Sequence, residues 1–142
     1  MPTLHREITI NAPVEKVFTY LDTPTNLPKI WPSCYEVKDV QPMPNGGHRF
    51  AFLYNLAGRP LQGVMETLER TTNESIVDKT KGEFESTFAF KFQGVNGTTK
   101  VFFDEEYTIP VLEKEYEPYF AWWNEYKADT IVQSLKAWFE RT

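Results

Sequence analysis

The sequence predicts an α+β fold in which about seven antiparallel strands pack against one long C-terminal helix, with two short helices after the first strand. Residues 82–93 and 98–109 alternate apolar and polar side chains, as half-buried strands do, and the turn between them holds Gly94 and Gly97, both expected at positive φ. Residues 113–141 contain Pro118 but no glycine, and their apolar residues recur at helical spacing. The aromatic face of the hairpin and the apolar face of this helix are therefore expected to face each other.

The N-terminal quarter is predicted to form one strand and two short helical segments. Residues 3–10 alternate like a strand apart from Arg6. Pro13 is a helix-start signal, and an apolar stripe continues to about Asp22. Residues 23–32 contain three prolines, which allow only one or two helical turns.

The middle of the chain is predicted to contain only strands. Turn clusters occupy residues 44–47, 57–60, 71–74 and 81–82. The intervening strands are expected at residues 35–40, 49–56, 61–70 and 75–79. Such regular spacing is typical of consecutive antiparallel strands.

Length and charge limit the classes of function. The 142 residues predict a single domain, 1–142. A net charge of −5 disfavours nucleic acid and anionic membranes as partners. Cys34 is the only cysteine, and no apolar run is long enough to cross a bilayer, so a cytoplasmic location without an integral membrane segment is expected.

Four motifs, in order, resemble those of a known family. Residues 11–18 (NAPVEKVF) are similar to an APxExV(W/F) opening and residues 27–32 (LPKIWP) to an LPxWxP corner. Residues 94–101 (GVNGTTKV) followed by 106–110 (EYTIP) are similar to a GGTxV…EYxxP hairpin, and residues 135–140 (LKAWFE) to the family's ending. The chain thus resembles the helix-grip fold of the START-related lipid-transfer (SRPBCC) superfamily, in particular its polyketide cyclase/dehydrase branch. The resemblance implies a curved sheet wrapped around the long helix and a deep pocket that carries or transforms apolar molecules.

Aromatic residues make up 15% of the chain and predict a ligand-sized cavity, with plain core packing as the alternative. An apolar small molecule or lipid is the expected ligand. The expected walls are Trp31, Phe50, Phe52, Tyr54, Phe88, Phe90, Val101, Phe103, Tyr107, Phe120, Trp123 and Ile131.

Glu105 is the strongest candidate for a polar functional residue in the cavity, because it lies on the same face of its strand as Phe103 and Tyr107. Pointing inward, it could act in acid/base chemistry or bind a ligand hydroxyl or amine. A bulge in the charged run from Asp104 would instead turn it to solvent. Asp78 is a second candidate, of undecided orientation.

Other chemistries have little support. The two histidines, His5 and His48, have no metal-ligand spacing, and Cys34 has no nucleophile motif. No metal is therefore expected. The glycine pairs precede strands rather than helices, so no nucleotide cofactor is expected either.

Three functions remain. The first is a module that binds a hydrophobic small molecule or lipid. The second is a cyclase/dehydratase-like enzyme in which Glu105, Tyr54 or Tyr107 moves a proton. The third is a protein-interaction role, which would be marked by exposed Tyr119, Trp122 and Tyr126. The oligomeric state is open.

Overall fold

The computed structural model describes residues 3–56, 58–82, 85–108 and 117–141. Its strands are β1 (Thr3–Ile10), β2 (Cys34–Pro42), β3 (His48–Leu56), β4 (Arg59–Thr71), β5 (Ser75–Gly82), β6 (Glu85–Val95) and β7 (Thr98–Thr108). Its helices are α1 (Val14–Leu21), α2 (Leu27–Ile30) and α3 (Glu117–Glu140), and a 3-10 turn (Pro24–Asn26) precedes α2. The predicted order of elements is confirmed, while the predicted start of the last helix at residue 113 lies outside the described residues.

The strands form one open antiparallel sheet in the order β1-β7-β6-β5-β4-β3-β2. The first strand lies beside the last because α1 and α2 carry the chain across to the opposite edge, where β2 begins. Two register shifts interrupt the pairing of β2 with β3, and most of β2 is exposed. Such irregularity is typical of an edge strand that does not recruit another chain.

Helix α3 packs on the inner face of the sheet through a fully buried stripe. Ala128 and Leu135 have no exposed surface, and Val132 is almost completely buried. At the first strand, Arg6 Nε donates a hydrogen bond to Asp129 Oδ1 (2.6 Å) in α3. Arg6 interrupts the apolar pattern of β1 because it pairs with this helix.

The β6–β7 hairpin has the predicted strands but a different turn. The positive φ angles belong to Asn96 (51°) and Gly97 (80°), so Gly94 was wrongly assigned this role. Gly94 instead allows α1 to approach β6, since a Cβ there would lie 3.1 Å from the Val14 side chain. The two-residue turn with both φ angles positive matches the twist of the strands it joins.

We expect Gly97→Val to lower the free energy of unfolding by about 1–3 kcal/mol, because a β-branched residue is strained at positive φ. Chemical denaturation measures this change. Gly97→Asn is the matched control, since asparagine tolerates the left-handed region and should cost less. Equal losses for both variants would contradict the argument from backbone conformation.

Candidate ligand-binding site

Two neighbouring cavities lie between the sheet and the helices. The α1 cavity lies at the end of α1 and is lined by Tyr20, Leu21, Asp22, Thr23, Pro24, Asn26, Leu27, Ile30, His48, Phe50, Met65, Thr67, Ile76, Asp78, Phe88 and Phe90. The α3 cavity lies beneath α3 and is lined by Leu27, Ile30, Trp31, Met65, Thr80, Ser86, Phe88, Phe90, Phe103, Glu105, Lys127 and Ile131. Five side chains line both: Leu27, Ile30, Met65, Phe88 and Phe90.

Both cavities are small. Their volumes are about 40 Å³ for the α1 cavity and about 20 Å³ for the α3 cavity. This is room for a few water molecules, whereas ligand pockets usually measure about 300–1,000 Å³. Neither of these two cavities therefore has the ligand-sized volume predicted from the sequence. A larger ligand requires the shared side chains to move, and an unbranched methionine such as Met65 does so easily.

A buried ion pair is the main polar feature of the α3 cavity. Lys127 Nζ donates to Glu105 Oε2 at 2.9 Å, and the two side chains are only 6% and 1% exposed. The lysine nitrogen also lies over the rings of Trp31 and Trp123, 5.5 and 5.6 Å from their centroids. These rings shield the pair from water, which strengthens its attraction.

The local structure explains why both charged groups point inward. The pairings of β7 with β1 and with β6 are continuous through Glu105, so no bulge turns this residue to solvent. Lys127 lies four residues from both Trp123 and Ile131 and therefore shares their helix face. Sequence reasoning missed Lys127, although a lysine within an apolar helical stripe is the signal that could have found it.

The ion pair leaves part of the carboxylate unsatisfied. Glu105 Oε1 is buried and has no hydrogen-bond partner among the described residues. Such an oxygen costs stability unless a donor reaches it. A water molecule or a ligand hydroxyl in the α3 cavity could provide that donor.

After Glu105, Asp78 is the second inward-facing carboxyl group of the site, and it lines the α1 cavity. It lies on the inner face of β5 with Ile76 and Thr80, and its Oδ1 accepts a hydrogen bond from Thr67 Oγ1 (2.8 Å). Burial raises the pKa of Asp78 to about 7; the Thr67 hydrogen bond opposes this shift, and the nearby Asp22 charge adds to it. Asp78 can thus change protonation near neutral pH.

The residues around Asp78 hold it in this position. β4 has a register shift between Thr67 and Glu69, so Thr67 keeps its inward direction while the strand turns. A Cβ on Gly47 would lie 2.2 Å from the Thr67 Cβ, so glycine is required for this approach. Arg70 on β4 donates to Asp22 at the end of α1, at 2.9 and 2.8 Å, so its positive charge is matched by Asp22 rather than by Asp78.

We expect the stability of the wild type to fall relative to Asp78→Asn as the pH rises from about 4 to about 7. In this range the unfolded chain has already lost the Asp78 proton, whereas the folded state keeps it because its pKa is raised from 3.8 to about 7. Stability therefore decreases with pH, and Asp78→Asn should be more stable by about 2–3 kcal/mol above neutral pH. Chemical denaturation at about pH 5 and about pH 8 measures the difference.

The control for this pH dependence is chosen from the other ionisable side chains near Asp78. Asp22 and Arg70 form their own pair, while His48 lines the same cavity. Because His48 lines the same cavity as Asp78, His48→Gln should be measured in parallel. A pH-dependent gain in His48→Gln but not in Asp78→Asn would assign the effect to the histidine instead.

The predicted wall residues divide into two groups. Phe88 and Phe90 line both cavities, and Phe50, Trp31, Phe103 and Ile131 each line one. The others contact neither of these two cavities: Phe52, Tyr54, Val101, Tyr107, Phe120 and Trp123. Phe52 and Tyr54 instead pack against Trp31, with ring centroids 5.8 and 5.3 Å away, and belong to the hydrophobic core.

The predicted proton-transfer residues do not converge on one cavity. Glu105 lines the α3 cavity, but Tyr54 and Tyr107 do not. Burial raises the pKa of Tyr107, the Glu105 charge adds to the shift, and a hydrogen bond with Asn124 opposes it. Tyr107 therefore remains protonated at neutral pH. Sequence reasoning also missed Thr67, Thr80 and Ser86, whose short polar side chains give no distinctive pattern.

An exposed aromatic stripe occupies the outer face of α3. Tyr119, Trp122 and Tyr126 are 45%, 59% and 61% exposed. Trp122 and Tyr126 stack, with centroids 5.8 Å apart and planes inclined by 16°. The residues proposed as the mark of an interaction surface are thus exposed.

Two kinds of feature are absent from the described residues. No helix within them has the length and apolar character needed to span a membrane. Nor do their His, Cys, Asp and Glu side chains gather in groups of three that could hold a metal ion.

An open antiparallel sheet covered by a long C-terminal helix, with cavities between them, defines the helix-grip class of proteins. The chain belongs to the family described as "Polyketide cyclase / dehydrase and lipid transport", whose model matches residues 1–140. The resemblance noted in the sequence motifs is therefore confirmed. A comparison with curated proteins returned no match.

Solved structures share the fold at low sequence identity. A START superfamily protein from Mycobacterium smegmatis superposes with a TM-score of 0.80 at 12% identity, covering 98% of this chain and 97% of that one. The Zhui aromatase/cyclase from a Streptomyces species gives 0.81 at 11% identity, covering 99% and 94%. The di-domain ARO/CYC StfQ of the steffimycin biosynthetic pathway gives 0.77 at 16% identity, covering 97% of this chain and 50% of that one. At such identities these similarities establish the fold alone.

Proposed function

We propose that the protein binds a hydrophobic small molecule or lipid between the sheet and α3, with a hydroxyl or amine of the ligand donating to Glu105. The observation that carries the proposal is the buried Oε1 atom of Glu105, which has no hydrogen-bond partner among the described residues and belongs to a side chain of the α3 cavity lining. An ionised carboxylate only accepts hydrogen bonds, so the ligand must bring the donor. The family description, which includes lipid transport, supports the same class of ligand.

The energetics of the ion pair also support a binding role. A buried ion pair is rarely more stabilising than apolar residues of the same size, because removing two charges from water costs about as much as their attraction returns. Glu105 and Lys127 are both almost fully buried beneath α3. Recognition of a polar group on an otherwise apolar ligand gives this arrangement a function.

The side chains between the cavities provide the space that a ligand needs. Met65, with its flexible chain, and Phe88, which is only partly buried, line both cavities. Turning them aside joins the two spaces. Apolar area buried against the ligand then contributes about 25 cal/mol per Å².

Titration with decanol tests the proposal, with decyl methyl ether as the matched ligand that lacks a donor. Trp31 lines the α3 cavity, so its fluorescence should report binding. We expect saturable binding with one molecule per chain and an affinity about tenfold tighter for decanol than for the ether. Glu105→Gln should reduce this preference, because an amide oxygen is a weaker hydrogen-bond acceptor than a carboxylate.

Glu106→Gln is the matched control, since this neighbouring carboxylate is exposed on the other face of β7. It should bind both ligands like the wild type. If the folded wild type binds neither ligand, the proposed function is wrong. If it binds both equally well, apolar binding stands but the role of Glu105 does not.

The cyclase/dehydratase alternative has weaker support. It requires a carboxyl group and a tyrosine hydroxyl that meet at the substrate. Glu105 is instead paired with Lys127, and neither Tyr54 nor Tyr107 lines the α3 cavity. A paired carboxylate is better suited to holding a ligand than to giving up a proton.

The protein-interaction alternative has one supporting observation, the stripe of Tyr119, Trp122 and Tyr126 on α3. Tyrosine and tryptophan are enriched at interfaces. Sedimentation velocity of the wild type and of Trp122→Ser tests whether the stripe mediates association between copies of this chain. Identical monomeric sedimentation of both proteins would remove self-association as its role.

A further inference from the structure

The two inward-facing carboxyl groups lie in one row across the sheet. Asp78 on β5 pairs with Phe88 on β6, and Phe88 pairs with Glu105 on β7. Neighbouring strands are about 4.8 Å apart, so the backbones of Asp78 and Glu105 are separated by about 10 Å. Asp78 lines the α1 cavity, Glu105 lines the α3 cavity, and Phe88 between them lines both.

Asp78 can form a hydrogen bond beyond the one it already makes. Thr67 binds Oδ1, while Oδ2 forms no hydrogen bond with a described residue. Asp78 lines the α1 cavity, whose other polar lining residues are Tyr20, Asp22, Thr23, Asn26, His48 and Thr67. With its pKa raised to about 7 by burial, the carboxyl group is available as a donor or an acceptor near neutral pH.

We propose that Asp78 is a second polar anchor of the binding site, so that the protein takes elongated apolar molecules carrying an oxygen group at each end. One group donates to Glu105 in the α3 cavity, and the other exchanges a hydrogen bond with Asp78 in the α1 cavity. The apolar part of the ligand occupies the space that Phe88 now fills between them. This inference rests on the proposed function and names its ligand class.

The shared wall gives the middle of such a ligand an apolar environment. The Phe88 ring lies 6.1 Å from that of Phe90 and 6.2 Å from that of Phe103. When Phe88 turns aside, the remaining two rings and Met65 are left to contact the ligand. A molecule with polar groups along its middle would leave them unpaired against these rings and bind poorly.

The test compares decanol with decanediol, which carries a hydroxyl at each end. We expect the wild type to bind the diol about tenfold more tightly, as one additional hydrogen bond provides. Asp78→Leu should bind decanol at least as well as the wild type but lose the preference for the diol. Glu106→Leu, with its substitution on the outer face, should keep it.

Each outcome separates the two proposals. Wild-type protein that binds decanol but shows no preference for the diol would overturn the second anchor and leave the proposed function intact. A preference that persists in Asp78→Leu would also overturn it. If Asp78→Leu does not fold, Asp78→Cys serves as the second variant, because its smaller side chain keeps an apolar wall without the carboxyl oxygens. An unchanged preference for the diol in Asp78→Cys would again refute Asp78 as the second anchor.

Discussion

Lys127→Met is expected to lower the free energy of unfolding by about 3–5 kcal/mol, because it leaves the Glu105 carboxylate buried without its partner. The ion pair is 2.9 Å long and almost fully buried, and a water molecule in the α3 cavity can supply a hydrogen bond but not the positive charge that is lost. Urea denaturation of wild type and variant measures the loss.

The double variant Glu105→Leu/Lys127→Met provides the control. Removing both charges at once leaves no uncompensated group, so stability should return to within about 1–2 kcal/mol of the wild type or exceed it. Binding of decanol should nevertheless lose its preference over the methyl ether. A double variant as unstable as Lys127→Met would mean that packing rather than charge dominates at this position.

Leu135→Asp is expected to unfold the protein or to leave it insoluble. Leu135 has no exposed surface and lies on the stripe by which α3 packs against the sheet. The substitution removes buried apolar contacts and introduces an unpaired charge, for a combined cost above about 4 kcal/mol. Circular dichroism and thermal denaturation report the loss of the folded state.

Two variants check that this effect comes from burial. Gln133→Asp introduces the same charge on the exposed face of α3, two residues away, and should change stability little. Leu135→Met keeps an apolar side chain of similar volume and should cost less than about 1.5 kcal/mol. A soluble Leu135→Asp protein with an unchanged melting temperature would show that the buried face of the helix is assigned wrongly.

The order of elements was predictable because each depends on local periodicity. The strand pattern of β6 and β7 has period two, and the stripe containing Ala128 and Leu135 has the period of a helix. Both patterns follow from which residues must be buried. The turn was harder, since Asn96 and not Gly94 takes positive φ, and this depends on the twist of the paired strands.

The direction of Glu105 could not be read from the charged run around it. Strand parity pointed it inward, and a bulge would have pointed it outward. Only the continuous pairing of β7 with both of its neighbours decides between them. The direction of Asp78 likewise depends on its pairing with β4 and β6.

The fold class, the order of strands and helices, and the family could be predicted from the sequence, because they depend on periodic burial and on short motifs that are local in the chain. Only the folded structure shows that Glu105 meets Lys127, 22 residues away, and that Thr67 on β4 meets Asp78 on the neighbouring strand β5. The same structure shows that the described side chains beneath the helices leave two small cavities, each too small for the ligand predicted from the sequence. Cavity size depends on how side chains from distant segments interlock, and pattern along the chain carries no information about that packing.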